Sequence, residues 1–136
     1  MKKIFLILFL STLFFACEKD KDNDKDPAPE LAAQVAGTYK VSELRVDGTN
    51  EPLNGAIITV HLDKFSAEVV TAKMKIKADG VSEPDEDLGT LTLKNAGSIG
   101  IDIYEGTDKV GSVKSNKLNF FVVFEGQELE MIADKQ

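Results

Sequence analysis

The 136-residue chain has one cysteine, one histidine and no tryptophan, and these scarcities exclude several kinds of site. A lone cysteine cannot form an intramolecular disulfide, so the fold must be stabilised by its apolar core. One cysteine and one histidine are too few for the usual zinc ligand sets, and we expect no metal or other cofactor. His61 alternates with Val60 and Leu62. This predicts a solvent-facing side chain rather than a catalytic base, and we predict that the protein is not an enzyme.

Positive charge is also in deficit, with 16 lysine and arginine residues against 23 aspartate and glutamate residues. The formal charge is −7, and it becomes −9 once an N-terminal segment that carries Lys2 and Lys3 is removed. Such a surface repels phosphate groups, which excludes nucleic acid as a partner. No glycine-rich loop stands between a strand and a helix, so a nucleotide cofactor is not expected either.

The one long apolar run, Ile4–Phe15, is too short to span a bilayer, which takes about 20 residues. It follows two lysines and precedes Ala16, so residues 1–16 have the layout of a bacterial secretory signal peptide. Cys17, directly after the cleavage position, resembles the cysteine of a lipoprotein lipobox. The resemblance implies that Cys17 carries a diacylglycerol and anchors the protein in a membrane. An ordinary signal peptide with an incidental cysteine is the alternative.

Residues 17–29 are predicted to be the lipidated cysteine and a disordered acidic tether, because alternating lysines and aspartates are followed by two prolines. Lys19 and Asp20 resemble the export signal of lipoproteins on the outer face of the outer membrane in some Gram-negative bacteria. The resemblance implies a lipid-anchored protein of the outer membrane, displayed at the cell surface. A plain spacer on a periplasm-facing lipoprotein is the alternative.

A folded domain is predicted over residues 30–136. Pro29 and Gly37 suit the start and the end of a short helical turn, in which Leu31 and Val35 share a face. Beyond Gly37, apolar residues recur with a period of two, and turn residues separate the runs. This pattern predicts eight strands, near residues 38–46, 56–63, 66–77, 87–94, 98–104, 108–114, 117–125 and 127–134.

Short connections predict an all-β fold in which each strand pairs antiparallel with the next, in an up-and-down order. A closed eight-stranded barrel is favoured because closure removes the sheet edges, and a two-sheet β-sandwich is the alternative. The apolar positions change phase between Val41 and Leu44 in the first strand and between Val69 and Ala72 in the third. We therefore expect a bulge or a bend in both strands.

The segment Val35-Ala36-Gly37-Thr38-Tyr39 resembles the opening of lipocalin-like (calycin) domains, in which a helical turn precedes a Gly-x-Trp motif on the first barrel strand. Tyr39 takes the position of the tryptophan. The resemblance implies an eight-stranded barrel, with Tyr39 packed under the turn at one end, and an interior that holds a small apolar ligand. The chain departs from the pattern because it is short and because its only arginine, Arg45, lies on the same strand as Tyr39.

Ten residues are predicted to face the interior and are the candidate ligand-binding residues: Tyr39, Ile58, Val60, Met74, Ile76, Leu91, Leu93, Ile101, Phe120 and Val122. The alternative is that they fill the barrel and leave no cavity. The two longest connections, Asp47–Gly55 and Ala78–Glu86, follow the first and third strands. We expect both at the same barrel end, where they frame a mouth.

Two other surface features need an interpretation. Phe121 and Val123 are predicted to point outward, either under the helical turn or as a contact surface for a partner or a second copy. The acidic run Glu83–Asp87 lacks the spacing of a calcium-binding loop, and we interpret it as a solvated turn.

The sequence as a whole predicts a lipid-anchored cell-envelope lipoprotein whose barrel binds a small apolar ligand. The alternative function is that of a binding module without a cavity, which contacts a protein or a glycan as an inhibitor or an envelope accessory protein. The membrane is a partner in both, through the lipid anchor.

Overall fold

A computed structural model describes residues 29–136. The predicted signal peptide, the predicted lipidation of Cys17 and residues 18–28 of the predicted tether lie outside the described residues. A five-residue helix, α1 (Leu31–Val35), precedes a 3-10 turn (Gly97–Ile99) and ten strands. The strands are β1 (Gly37–Val46), β2 (Thr49–Glu51), β3 (Ile57–Ser66), β4 (Val69–Ala78), β5 (Val81–Ser82), β6 (Glu86–Asn95), β7 (Ile101–Glu105), β8 (Asp108–Lys114), β9 (Lys117–Phe124) and β10 (Gln127–Lys135).

Eight of these strands close into an antiparallel barrel in the up-and-down order β1, β3, β4, β6, β7, β8, β9, β10. Closure is the pairing of β1 with β10, which runs from Tyr39–Lys135 to Val46–Leu129. It joins the two strands that would otherwise be sheet edges. The predicted barrel is therefore confirmed and the sandwich is excluded. The two short strands extend the wall, because β2 pairs with β1 and β5 pairs with β4.

One of the two predicted phase changes is confirmed. The pairing of β1 with β10 shifts between Val41 and Glu43, so Ser42 is an extra residue that forms a bulge and moves the inward positions by one. The bend predicted in the third strand is wrong. β4 begins only at Val69, and Val70, Ala72 and Met74 are buried in uninterrupted alternation.

The inward side chains form one apolar core, with no buried polar or charged residue among positions 29–136. Val60, Leu62, Ile103 and Leu118, for example, are at most 1% exposed. Each such side chain stabilises the fold by about 1.5–3 kcal/mol relative to an exposed one. The strand predicted near residues 98–104 begins only at Ile101, because Ile99 lies in the 3-10 turn, where it is 62% exposed.

We call the end of the barrel that α1 covers the closed end. There the N–H of Ala32 donates a hydrogen bond to the carbonyl oxygen of Ala67, in the turn between β3 and β4, at 2.9 Å. Ala32 and Val35 are fully buried, and Lys64 forms an ion pair with Glu30. The β1–β3, β4–β6, β7–β8 and β9–β10 connections lie at the opposite end, which we call the open end.

Candidate functional site

The barrel wall is incomplete at the open end, beside the β7–β8 hairpin. β6 pairs with β7 only from Thr92 to Asn95, and β9 pairs with β8 only up to Phe120. Among the described strands, Glu86–Leu91 therefore pairs with β4 alone, and Phe121–Phe124 pairs with β10 alone. We call the gap between these two half-paired segments the side opening.

The side opening exists because the β7–β8 hairpin is short and distorted. The hairpin turns between Glu105 and Asp108. Its pairing shifts between Ile103 and Tyr104, which leaves Val110 as an extra residue in β8. Since a bulge bends the strand that carries it, the regular pairing of β8 with β9 stops one residue later, at Gly111.

A second bulge shapes the facing edge. The pairing of β6 with β4 shifts so that Leu88 has no partner between Asp87 and Gly89. Gly89 has a φ of 84°, a conformation that glycine adopts without steric cost. Its N–H donates a hydrogen bond to Oδ1 of Asp87 at 2.8 Å. The bulge places Leu88 against the core, out of phase with Leu91 and Leu93.

The side opening contains a cavity of about 580 Å³. This volume falls within the range of about 300–1,000 Å³ that small-molecule sites occupy. Its apolar lining comprises Leu88, Leu91, Val110 and the four β9 residues Phe120, Phe121, Val122 and Val123. Leu91 and Phe120 are each 1% exposed, so they belong to the core as well as to the cavity.

The rim of the cavity is acidic. Its four carboxylates are those of Asp87, Glu105, Asp108 and Glu128, and no basic residue lines the cavity. The nearby ammonium of Lys109 is engaged elsewhere, since its Nζ lies 2.8 Å from Oδ1 of Asp102. That hydrogen bond raises the pKa of Lys109. The site therefore combines an apolar interior with a negatively charged entrance.

The structure separates the ten predicted interior residues into two groups. Leu91, Phe120 and Val122 line the cavity. The other seven lie in or against the packed core, where Ile76 is only partly buried: Tyr39, Ile58, Val60, Met74, Ile76, Leu93 and Ile101. For this second group the geometry fits the alternative in which side chains fill the barrel.

The two long connections lie at one barrel end, as expected, but the cavity is not framed by them, because its lining comes from β6 to β10. Sequence reasoning missed Leu88 and Val110 as lining residues. For Leu88 a signal was present, because an out-of-phase leucine beside a glycine in a strand indicates a bulge. Val110 offered no comparable signal.

The outward face of β9 is uncovered. Phe121 is 38% exposed and Val123 is 77% exposed, so their predicted outward orientation is confirmed. The expectation that the N-terminal helical turn covers them is wrong, because α1 packs against β3, β4 and β6 at the closed end. An apolar surface remains beside the side opening.

His61 lies half-buried on the outer face of β3, as its alternation predicts. Its Nδ1 lies 2.9 Å from Oγ1 of Thr38, and its Nε2 lies 3.4 Å from Oγ1 of Thr59. In the Glu83–Asp87 run, Asp85 forms an ion pair with Lys75 at 3.5 Å. Across residues 29–136, no three histidine, cysteine or carboxylate side chains are grouped as metal ligands. None of the helices in this part of the chain is long and apolar enough to cross a membrane.

Comparison with protein-family models gives no match for this chain, and comparisons with curated proteins and with solved structures give none either. The class that the fold itself defines is an antiparallel, up-and-down, eight-stranded β-barrel with a helix over one end.

Proposed function

We propose that this protein is a lipid-anchored binding protein of the cell envelope, whose side opening holds a small apolar ligand. The observation that carries the proposal is the cavity of about 580 Å³, in which apolar side chains such as Leu88, Leu91 and Phe120 lie beside an acidic rim. When an apolar ligand displaces water from apolar side chains, the free energy of the bound state is lowered. The lipocalin-like opening of β1 and the closed barrel support the same class of function.

The position of the chain start supports an anchored arrangement. Pro29 and Glu30 precede α1, so the described residues begin at the closed end. The side opening lies at the other end. With a lipid on Cys17, the ligand enters from the aqueous phase, on the side of the domain away from the tether.

A second candidate function is contact with another protein through the outer face of β9. The observation that favours it is the exposure of Phe121 and Val123, since exposed apolar groups of this kind mark interaction surfaces. The two candidate surfaces meet at Phe121 and Val123, which also line the cavity, whereas Leu88 belongs to the cavity alone. Substitutions at Leu88 and at Val123 therefore separate them.

Titration of the Cys17→Ser protein with the neutral apolar probe N-phenyl-1-naphthylamine tests the first candidate. We expect saturable binding, because Leu88, Leu91 and Phe120 offer the probe an apolar surface inside the cavity. Leu88→Lys places a charge in the cavity and should weaken binding at least about tenfold. Ile57→Lys is the matched control, because Ile57 is 43% exposed on β3, outside the cavity.

The absence of saturable binding, or an equal loss in both variants, would contradict the cavity as the site. If Val123→Lys abolishes capture of a partner protein while Leu88→Lys does not, the outer face of β9 is the functional surface instead.

A further inference from the structure

The half-paired segment Phe121–Phe124 of β9 is a regular strand edge. Its pairing with β10 continues without a shift from Phe124–Gln127 to Lys117–Asp134. In an antiparallel strand, alternate residues direct both N–H and C=O toward the same side. Two of the four residues therefore present backbone donors and acceptors to the side opening, where β8 has left the wall.

Natural barrels protect such edges with prolines, charges or bulges. The facing edge on β6 is protected in this way, because Leu88 is bulged and the N–H of Gly89 is already bonded to Asp87. The Phe-Val-Val-Phe edge of β9 carries none of these features. Of the two edges, only that of β9 is a template for a further strand.

Charge decides between the occupants of this edge. A second copy would bring its own acidic rim and its own net negative charge to the same place. Repulsion between like charges disfavours that pairing. A basic segment meets complementary charge instead: Glu128 is paired with Val123 across β9 and β10, and Asp108 and Glu105 lie at the hairpin turn.

We propose that the β9 edge Phe121–Phe124 binds an extended, basic segment of a partner protein as an added antiparallel strand, in the space that β8 vacates. Alternate apolar side chains of this segment enter the cavity, and its basic side chains face the carboxylates of the rim. This inference rests on the proposed function, because it uses the same opening. The inference adds that the apolar ligand is a side chain of a peptide, and that backbone hydrogen bonds to β9 hold this peptide.

Synthetic peptides test the proposal on the Cys17→Ser protein. The probe is a blocked hexapeptide of alternating valine and lysine, with a valine–glutamate peptide as the charge control. We expect the lysine peptide to bind and to slow amide hydrogen exchange by about tenfold or more at the two residues of Phe121–Phe124 whose N–H groups face the side opening. The glutamate peptide should not bind.

Backbone pairing is tested with two methylated peptides, one N-methylated at every valine and one at every lysine. The amides of valine and lysine point to opposite edges of an extended strand. One methylated peptide should therefore lose binding about tenfold or more, while the other retains it. Equal binding of both, or slowed exchange at another strand, would overturn strand addition at β9.

Charge recognition is tested with Asp108→Asn and Glu128→Gln, for which Asp63→Asn on the exposed part of β3 is the control. Weaker binding in the first two variants only is expected, and equal binding in all three would overturn the role of the rim. Dimerisation through the β9 edge without peptide would assign the edge to a second copy and overturn the proposal. Binding of N-phenyl-1-naphthylamine without binding of the lysine peptide removes this inference and leaves the proposed function standing.

Discussion

The ammonium of Lys135 lies over the aromatic ring of Tyr39, with Nζ 5.8 Å from the ring centroid. The two residues face each other where β10 closes the barrel against β1. The same Nζ donates a hydrogen bond to the carbonyl oxygen of Gln34 at 3.0 Å, which ties the last strand to α1. A cation from the end of the chain thus packs on Tyr39, although the chain has no late arginine for this position.

Tyr39 should be a principal stabilising residue of the closed end. It is fully buried, and its hydroxyl donates a hydrogen bond to the carbonyl oxygen of Val35 at 2.7 Å. We expect Tyr39→Ala to lower the free energy of unfolding by about 3–5 kcal/mol, as for other buried aromatic truncations. Tyr39→Phe, which removes only the hydrogen bond, should cost about 1 kcal/mol. Urea unfolding measures both, and an unchanged transition for Tyr39→Ala would contradict the packing at this end.

Tyr39 should also make stability depend on pH in the alkaline range. Burial raises its pKa from 10.0 to about 12, because the interior disfavours the phenolate. The folded state therefore holds this proton more tightly than the unfolded state. The resulting stability is fully present below pH 10 and is lost as the pH rises to about 12, by roughly 2 kcal/mol in total.

The measurement is the difference in the free energy of unfolding between the native sequence and Tyr39→Phe, across pH 9–12. Lysines also titrate in this range, but their contributions are the same in both proteins and cancel in the difference. Absorbance titration of Tyr104→Phe, in which Tyr39 is the only tyrosine, reports the pKa directly. A midpoint at 10 would show that the phenol is solvated.

Gly37 should be coupled to Lys135. Its φ is 145°, and a Cβ at this position would lie 2.7 Å from Cε of Lys135. We expect Gly37→Ala to cost about 1–3 kcal/mol through backbone strain and displacement of the lysine. Lys135→Ala should cost about 1 kcal/mol, through loss of the cation–π contact and the hydrogen bond. The double variant should lose less stability than the sum of the losses in the two single variants. Strict additivity would show that the residues are independent.

Adjacent phenylalanines on β9 should respond differently to truncation. Phe120 is 1% exposed in the core, whereas Phe121 is 38% exposed on the outer face. Phe120→Ala should cost about 3–5 kcal/mol. Phe121→Ala should cost less than about 1 kcal/mol, as surface substitutions usually do. Thermal or urea unfolding compares the two, and equal losses would contradict the assigned faces of the strand.

The proposed lipid anchor predicts a change in location without a change in fold. Cys17→Ser removes the thiol that would be acylated, so the protein should move from the membrane fraction to the soluble fraction. Fractionation of cells followed by mass spectrometry of the N-terminal peptide measures this. Continued membrane retention of the variant would refute lipidation at Cys17.

The sequence by itself determined the eight barrel strands and their order, but not the short strands β2 and β5, which lie in the predicted connections. In an alternating segment such as Leu91-Thr92-Leu93, the apolar side chains share one face, because successive side chains of a strand point to opposite sides. This face is buried regardless of which strands are its neighbours. Turn residues between the runs leave only short connections, and these favour antiparallel neighbours. The barrel, the outward position of Phe121 and Val123, and the bulge in β1 follow from these local rules.

The tertiary structure decided where the wall is open. The bulges at Leu88 and Val110, and the point at which β8 leaves β9, depend on the register between strands, which no single segment specifies. The contact of Lys135 with Tyr39 joins residues 96 positions apart in the chain, and only closure brings them together. Local periodicity determines which face of a strand is apolar. The site, in contrast, forms where the pairing between strands distant in sequence begins and ends, and local periodicity does not determine these limits.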